Sequence, residues 1–292
     1  MKKVILSLSA LALAMGMNAQ LLWKVSGNGA KGDSYLFGTH HIAPVSTLDT
    51  TPGFGDALSS IDNVYGEVEM GDMTSPETQQ MVLAIATAPA DSTLSKVLTA
   101  EQLDSVNAVL KKYTGGMVSV AQLEAMKPSM IGTQIGMLQA MTAFPNYNPQ
   151  EQLDTEVQAR GIAQGKGIKG FETIEQQLNW LMGDPIAEQA ENLMDDVRKD
   201  GTSIEQAKAL AQAYTDADID KIAQIMFDAE TGMSPEAVKR LLYDRNDNWI
   251  AELKEILPNE NILVAVGIGH LIGEKGLITQ LRNLGYTVTP VK

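Results

Sequence analysis

Residues 261–270 read Asn-Ile-Leu-Val-Ala-Val-Gly-Ile-Gly-His, and this stretch decides the fold. Residues 262–266 are all apolar, and a Pro-Asn-Glu-Asn turn at 258–261 leads into them. A short continuous apolar run between turn residues is typical of a strand that is buried on both faces. Gly267 ends the run and allows the chain to turn sharply before His270.

Other stretches of the chain show weaker strand patterns, and they lie mostly towards its two ends. They are residues 21–25, 34–37, 63–70, 167–171 and 286–291. Most of the chain between them has helical patterns, and residues 184–257 predict three or four helices. This order predicts an α/β domain, with α+β as the alternative, built on a central mixed sheet with a large helical insertion. No low-complexity linker divides residues 21–292, so we expect a single domain.

Composition excludes several classes of function. The 292 residues include 36 acidic and 22 basic side chains, which gives a formal net charge of −14. Nucleic-acid binding needs a basic surface, so we expect no nucleic-acid partner. The chain has no cysteine, which excludes disulfides and thiolate metal sites.

Residues 1–20 have the order of a secretory signal peptide. Lys2 and Lys3 give a positive start, residues 4–15 are mostly apolar, and Asn18-Ala19-Gln20 offers small residues for cleavage. The alternative is a membrane anchor, but the apolar run is shorter than the roughly 20 residues that a spanning helix needs. We therefore expect a periplasmic or secreted protein with no stable membrane span after cleavage.

The chain has three histidines, and two of them complete a Gly-x-x-His motif. The motifs are Gly38-Thr39-His40-His41 and Gly267-Ile268-Gly269-His270, and each follows an apolar run. Open sheets bind ligands at the carboxyl ends of their strands, and imidazole is a common metal ligand. Two histidines and a carboxylate could hold a metal that polarises a carbonyl and lowers the pKa of bound water. The alternative is a pair of histidines with structural roles in loops.

Several segments together resemble the TraB/GumN family. They are LLWKVSGNGAKGDSYLFGTHH at 21–41, VYGEVEM at 64–70, LDTEVQARGIAQGKGIKGFETIEQQL at 153–178, Arg245-Asn246 with Trp249, and LVAVGIGHLIGEKGLITQLRNLGYTVTPV at 263–291. The resemblance covers the chain after residue 20 and is weakest across residues 70–145. The family includes the Tiki proteins, which are regarded as metal-dependent proteases of secreted substrates. Its fold is similar to that of erythromycin-esterase-like and haem-binding proteins.

The resemblance implies a set of site residues. His41, His270 and Glu67 would hold the metal. Glu172, at the end of another strand, would act as a general base or a further ligand. Arg245 would bind a substrate carboxylate or stabilise an oxyanion.

Glu69 and His40 lie close to members of this set in the sequence. Glu69 shares a strand face with Glu67 if residues 63–70 are extended, so either could face the site. His40 lies at a variable position of the family and is not counted as a ligand. Glu67 and Glu172 also have a structural alternative, in which they pair with an arginine or cap a helix.

These observations predict an exported metal-dependent hydrolase, with a peptidase as the first choice. Its cofactor would be Mn, Co or Zn, and its partner a peptide or protein substrate. The alternatives are a protein of the same fold that binds haem, a metal or a peptide without turnover, and an esterase-like hydrolase.

Overall fold

The structure is a computed structural model, and it describes residues 20–292 except for the side chains of Asp72 and Thr74. The signal peptide predicted at residues 1–20 therefore lies outside the described residues, apart from Gln20. Among the helices of residues 20–292, none combines the length and the apolar content that crossing a bilayer requires.

The described residues form one six-stranded mixed sheet, which confirms the predicted α/β fold class. The strands are β1 (Leu22–Ser26), β2 (Ser34–Thr39), β3 (Asn63–Gly66), β4 (Gly167–Gly170), β5 (Ile262–Gly267) and β6 (Thr287–Pro290). All six strand regions expected from the sequence are present. Their order across the sheet is β4-β3-β5-β2-β1-β6, so the apolar run at 262–266 lies inside the sheet, as expected.

Helices surround the sheet and fill most of the chain between β3 and β5. They are α1 (Thr47–Thr50), α2 (Phe54–Ser60), α3 (Pro76–Ala86), α4 (Leu94–Val97), α5 (Ala100–Thr114), α6 (Pro128–Ala143), α7 (Leu153–Ala163), α8 (Ile174–Met182), α9 (Ile186–Arg198), α10 (Asp200–Thr215), α11 (Ile219–Met226), α12 (Pro235–Val238), α13 (Asp244–Ile256), α14 (Ile268–Leu271) and α15 (Leu277–Asn283). A π-helical turn, Lys239–Tyr243, joins α12 to α13. The expectation of three or four helices at 184–257 was too low, because short turns divide the segment further.

Strand direction brings four strand ends to the same edge of the sheet. β4, β3, β5 and β2 are parallel, whereas β1 pairs antiparallel with both β2 and β6. In the register, Gly66 lies opposite both Ala265 and Gly170, and Thr39 lies opposite Gly267. The residues that follow these four strands therefore meet at one edge, which we call the carboxyl edge.

β3 is shorter than the sequence predicts, because it ends at Gly66 rather than near residue 70. The Gln158 side chain replaces a neighbouring strand there: its Nε2 donates to the Val68 carbonyl at 2.8 Å, and its Oε1 accepts from the Met70 N–H at 2.9 Å. A Cβ on Gly66 would lie only 2.5 Å from Gln158 Nε2, so this close approach needs glycine. The prediction that Glu67 and Glu69 share a strand face is therefore wrong.

The buried apolar residues form two clusters. The larger one surrounds the sheet and includes Phe37, Val64, Trp249, Leu263 and Val266. The smaller one lies among α4, α5, α6 and α9. Only the larger cluster adjoins the carboxyl edge.

Gly170, at the end of β4, offers a test of how tightly the carboxyl edge is packed. A Cβ there would lie 2.9 Å from Val68 Cα and 2.9 Å from the Glu172 carbonyl oxygen, and backbone atoms cannot move aside cheaply. We expect Gly170→Ala to lower the free energy of unfolding by about 2 kcal/mol, as overpacking does elsewhere. Urea unfolding followed by circular dichroism would measure the change.

Gly136→Ala is the matched control, because Gly136 lies in α6 and a Cβ there meets no atom within 4 Å. Alanine favours helix over glycine by up to about 1 kcal/mol, so this variant should be as stable as the wild type or more so. Equal stability of the two variants would contradict the close packing described for β4.

Candidate functional site at the carboxyl edge of the sheet

Polar side chains follow all four parallel strands. Glu67 comes directly after β3, Glu172 comes two residues after β4, and His270 lies in α14 directly after β5. His40 and His41 follow β2. The strand order therefore arranges them along the edge as Glu172, Glu67, His270 and then the two adjacent histidines.

Arg245 joins the first three of these groups. It lies in α13 and is only 5% exposed. Its Nε and Nη2 donate to the two oxygens of Glu172 at 2.8 and 2.9 Å, and Nη2 also donates to Glu67 Oε2 at 2.7 Å. Its Nη1 lies 3.2 Å from His270 Nε2 and 3.2 Å from the Leu241 carbonyl oxygen. We call Glu67, Glu172, Arg245 and His270 the Arg245 cluster.

The hydrogen bonds of Asn246 fix the tautomer of His270. Asn246 Nδ2 donates to the carbonyl oxygens of His270 and Lys275, both at 3.0 Å. Its Oδ1 therefore accepts from His270 Nδ1, 2.8 Å away, so the proton is on Nδ1. The Nε2 lone pair then faces Arg245 and is an acceptor.

Trp249, which lies in α13 like Arg245, packs against three members of the cluster. Its Nε1 donates to Glu172 Oε1 at 3.1 Å, and its ring centroid lies 4.4 Å from that of His270. The Arg245 guanidinium lies over the same ring, 4.9 Å from its centroid. The indole thus supplies a hydrogen bond, an apolar wall and a cation–π contact.

Glu67 is the strand-end carboxylate that faces the cluster, whereas Glu69 is exposed. Its Oε1 accepts from the Gly267 N–H at 3.0 Å, and its Oε2 accepts from Gln177 Nε2 at 2.9 Å as well as from Arg245. Burial opposes ionisation, but His270 when protonated, the Arg245 guanidinium and the Gly267 N–H lower the pKa of Glu67 to about 2. The carboxylate is therefore charged at neutral pH.

His270 is neutral at neutral pH. Burial lowers its pKa to about 4, and the charge of Arg245 adds to this effect although Glu67 opposes it. Two carboxylates, one guanidinium and one neutral imidazole thus lie together in an almost water-free place. Each carboxylate oxygen accepts at least one hydrogen bond.

His41 is not brought together with the Arg245 cluster. Its side chain is 71% exposed, and among the described residues its carboxylate partner within 4 Å is Asp154, with Nδ1 3.8 Å from Oδ2. Thr39 Oγ1 donates to the other oxygen of Asp154 at 2.8 Å. Burial and the nearby charge of Glu67 raise the pKa of Asp154, whereas His41 and the Thr39 hydroxyl oppose the shift. Oδ2 of Asp154 is buried, and the part of the chain that the structure describes offers it no hydrogen-bond partner.

His40 lies between this pair and a cleft. Its ring is 5.2 Å from that of Tyr214, and the Tyr214 hydroxyl donates to the Gly38 carbonyl at 2.8 Å. The His40 Nε2 atom is buried and has no hydrogen-bond partner within residues 20–292. The cleft has a volume of about 720 Å³ and lies between the loop after β2, the loop after α6 and the helix α10. No member of the Arg245 cluster lines it.

The arrangement does not fit the metal centre expected from the sequence. Among residues 20–292, no three histidine, aspartate or glutamate side chains lie close enough together to hold one ion. His270 Nε2 and Glu67 Oε1 are 3.6 Å apart, but His41 points elsewhere and Arg245 lies against both His270 and Glu67. The metal ligands His41, His270 and Glu67 therefore stay a prediction, as do the catalytic roles of Glu172 and Arg245.

Sequence reasoning did not select Asp154 or Asn246 as site residues. Asp154 lies in the first turn of α7, where an acidic residue is ordinary, so the pattern gave no separate signal. Its contact with Thr39 joins positions 115 residues apart. Asn246 was noted beside Arg245, but its contact with His270 requires the packing of α13 against α14.

The buried histidines predict an acid-sensitive fold. Burial and the charge of His41 lower the pKa of His40 to about 4, whereas a histidine in the unfolded chain titrates near 6.5. Below pH 6.5 the unfolded chain binds protons that the folded chain excludes, so the free energy of unfolding falls as the pH falls from 6.5 towards 4. The same reasoning applies to His270, whose pKa is also about 4.

His40→Gln should therefore weaken this pH dependence. Between pH 6.5 and 5 we expect each buried histidine to contribute roughly 2 kcal/mol of lost stability, and the variant removes one contribution. Urea unfolding of both proteins across this range would test it, with pH 8 as the reference at which both are folded. Identical slopes would show that His40 is free to protonate in the folded protein.

Comparison with known proteins gives one family and one relative. The model of the TraB/PrgY/gumN family matches residues 21–290. A protein of Amphimedon queenslandica named "Metalloprotease TIKI homolog" is 21% identical over 314 residues, which cover 91% of this chain and 60% of that protein. The chain thus spans about 60% of the length of this relative. No solved structure matches. Because the family model covers nearly all of the described sequence, this chain belongs to the TraB/PrgY/gumN family.

Proposed function

We propose that this protein is a hydrolase, and that it cleaves a peptide bond. The observation that carries the proposal is the pairing of His41 with Asp154 at the carboxyl edge of the sheet, beside an open cleft that His40 and Ile42 line. Such an edge is where open α/β sheets bind their ligands. The family membership and the name of the Amphimedon queenslandica relative, "Metalloprotease TIKI homolog", support hydrolysis of a peptide substrate.

His41 is the group best placed to act as general base. It is exposed, it follows β2 at the carboxyl edge, and the neighbouring residues His40 and Ile42 line the cleft. Its Nδ1 faces Asp154, so its Nε2 is free to face solvent or substrate. His41 would take a proton from a water as the water oxygen bonds to the carbonyl carbon. It would return the proton to the amine as the C–N bond breaks.

Asp154 is a positioning residue in this mechanism. Its carboxylate is held by the Thr39 hydroxyl and faces the His41 ring, so it would orient the imidazole and stabilise its protonated form. Its Nδ1–Oδ2 distance of 3.8 Å is longer than a hydrogen bond and would have to shorten when His41 is protonated. Substrate binding in the cleft is the event that could bring the two together.

The Arg245 cluster does not contact the cleft and serves a different role in this proposal. Glu172 and Arg245 bond to each other, so neither presents a free group to a substrate in this arrangement. We assign the cluster to holding the strand ends in register beneath the site. Glu172 as the base and Arg245 as the oxyanion partner are the alternative, which requires the cluster to open.

A binding protein without turnover is the second candidate. The observation that favours it is the cleft itself, which has mainly apolar walls and is lined in part by His40. Such a protein would hold a peptide in the cleft and release it unchanged.

We also propose a periplasmic or secreted location on the pattern of residues 1–20, which N-terminal sequencing of the purified protein would test.

His41→Ala and Asp154→Asn test the proposed mechanism. Loss of a general base typically costs about 100-fold or more, so we expect His41→Ala to lower kcat/KM on a quenched-fluorescence peptide substrate by that factor. Asp154→Asn should lower kcat more than it raises KM, and it should shift the pH profile, because it acts through His41.

Asp49→Asn is the matched control, since Asp49 is an exposed aspartate paired with Arg160. It should retain wild-type activity. Full activity of His41→Ala would contradict the mechanism, whereas peptide binding without any cleavage in the wild type would favour the binding protein.

A further inference from the structure

The mismatch with a metal centre has two causes, the orientation of His41 and the position of Arg245, and the second has a further consequence. Glu67, Glu172 and His270 carry oxygen and nitrogen donors of the kinds that hold Mn, Co or Zn. All three point at one place, and the guanidinium occupies that place. It lies 2.7 Å from Glu67, 2.8 Å from Glu172 and 3.2 Å from His270.

The guanidinium uses the same lone pairs that a metal would use. Asn246 Oδ1 accepts a hydrogen bond from the Nδ1–H of His270, so the lone pair of the ring is on Nε2, the atom that faces Arg245 Nη1. Both oxygens of Glu172 accept from Arg245, and so does Oε2 of Glu67. An ion could not bind these atoms until those hydrogen bonds were broken.

Arg245 also makes contacts outside the three metal-binding groups. Its Nη1 donates to the Leu241 carbonyl in the π-helical turn Lys239–Tyr243, and its plane lies over the Trp249 ring. Withdrawing the side chain would therefore break a backbone contact and a cation–π contact, besides four hydrogen-bond contacts with Glu67, Glu172 and His270.

We propose that the Arg245 guanidinium is the resident cation of this cluster, and that it keeps a divalent metal from binding Glu67, Glu172 and His270 while it stays there. The proposal concerns metal uptake, and it does not require the protein to be a hydrolase. A metal could still bind elsewhere, for example at His41. Glu67, Glu172 and His270 do not lie close enough together to hold one ion as they stand. Removing the positive charge at position 245 would free them to move together onto an ion.

The experiment measures metal binding to the full chain by titration calorimetry, with Mn²⁺, Co²⁺ and Zn²⁺ each used alone. We expect Arg245→Met to bind one ion at least about 10-fold more tightly than the wild type, since three protein ligands become available. The ion should also raise the melting temperature of this variant more than that of the wild type. Arg245→Lys is the matched control: it keeps a cation in the cluster and should show no such gain.

A second variant assigns the gain to this cluster. His270→Gln combined with Arg245→Met should lose it, because Nε2 is then no longer a ligand. If Arg245→Met folds and shows no gain, or if the gain survives His270→Gln, the proposal is wrong.

A third measurement keeps the test decisive if Arg245→Met does not fold. In the presence of Arg245, His270→Gln alone should change the affinity for each ion by less than about 2-fold, because His270 is not a ligand there. A loss of about 10-fold or more in this single variant would show that the metal and Arg245 share the cluster, and would overturn the proposal.

Discussion

The bonding of one buried guanidinium to groups from three strand ends is the interaction on which the carboxyl edge depends. Arg245 comes from α13, outside the sheet, yet it bonds residues that follow β3, β4 and β5. Removing one partner of a buried ion pair typically costs about 3–5 kcal/mol, because the other charge is left without compensation. The groups therefore depend on one another, and the ends of three strands are tied together by side chains as well as by backbone hydrogen bonds.

This bonding divides the edge into two chemically different parts. In the Arg245 cluster every donor and acceptor that meets the guanidinium is satisfied, and water is almost excluded. Beside β2 the opposite holds, since buried atoms of His40 and Asp154 have no partner and His41 is exposed next to a cleft. A network in which every hydrogen bond is formed favours rigidity. A buried polar atom without a partner costs free energy, which a ligand that hydrogen-bonds to it would recover. We therefore place the chemistry beside β2 and the mechanical support beside β3, β4 and β5.

The sequence predicted the sheet well and the site in part, for a physical reason. Strands were found because runs such as residues 262–266 carry their signal locally, and His270 was found because its Gly-x-x-His motif follows such a run. Glu67 and Glu172 came from the family resemblance. The contacts that decide the site are not local: Gln158 ends β3, Asp154 meets Thr39, and Asn246 fixes the tautomer of His270. None of these pairings leaves a pattern in one sequence, since each joins positions more than 20 residues apart. The two Gly-x-x-His motifs look alike, but β5 leads into a buried helix and β2 into a turn.

The position of β5 in the sheet has a consequence for how the protein is made. β5 lies between β3 and β2, although it follows β3 by almost 200 residues in the chain, and β6 then pairs with β1. A ribosome would release the first four strands long before the strand that joins them, so the sheet cannot close until nearly the whole chain is synthesised. Until β5 is synthesised, β2 and β3 each have an unpaired edge. Unpaired strand edges promote aggregation unless a chaperone covers them. The strand that leads into His270 is thus also the strand whose synthesis allows the central sheet to close.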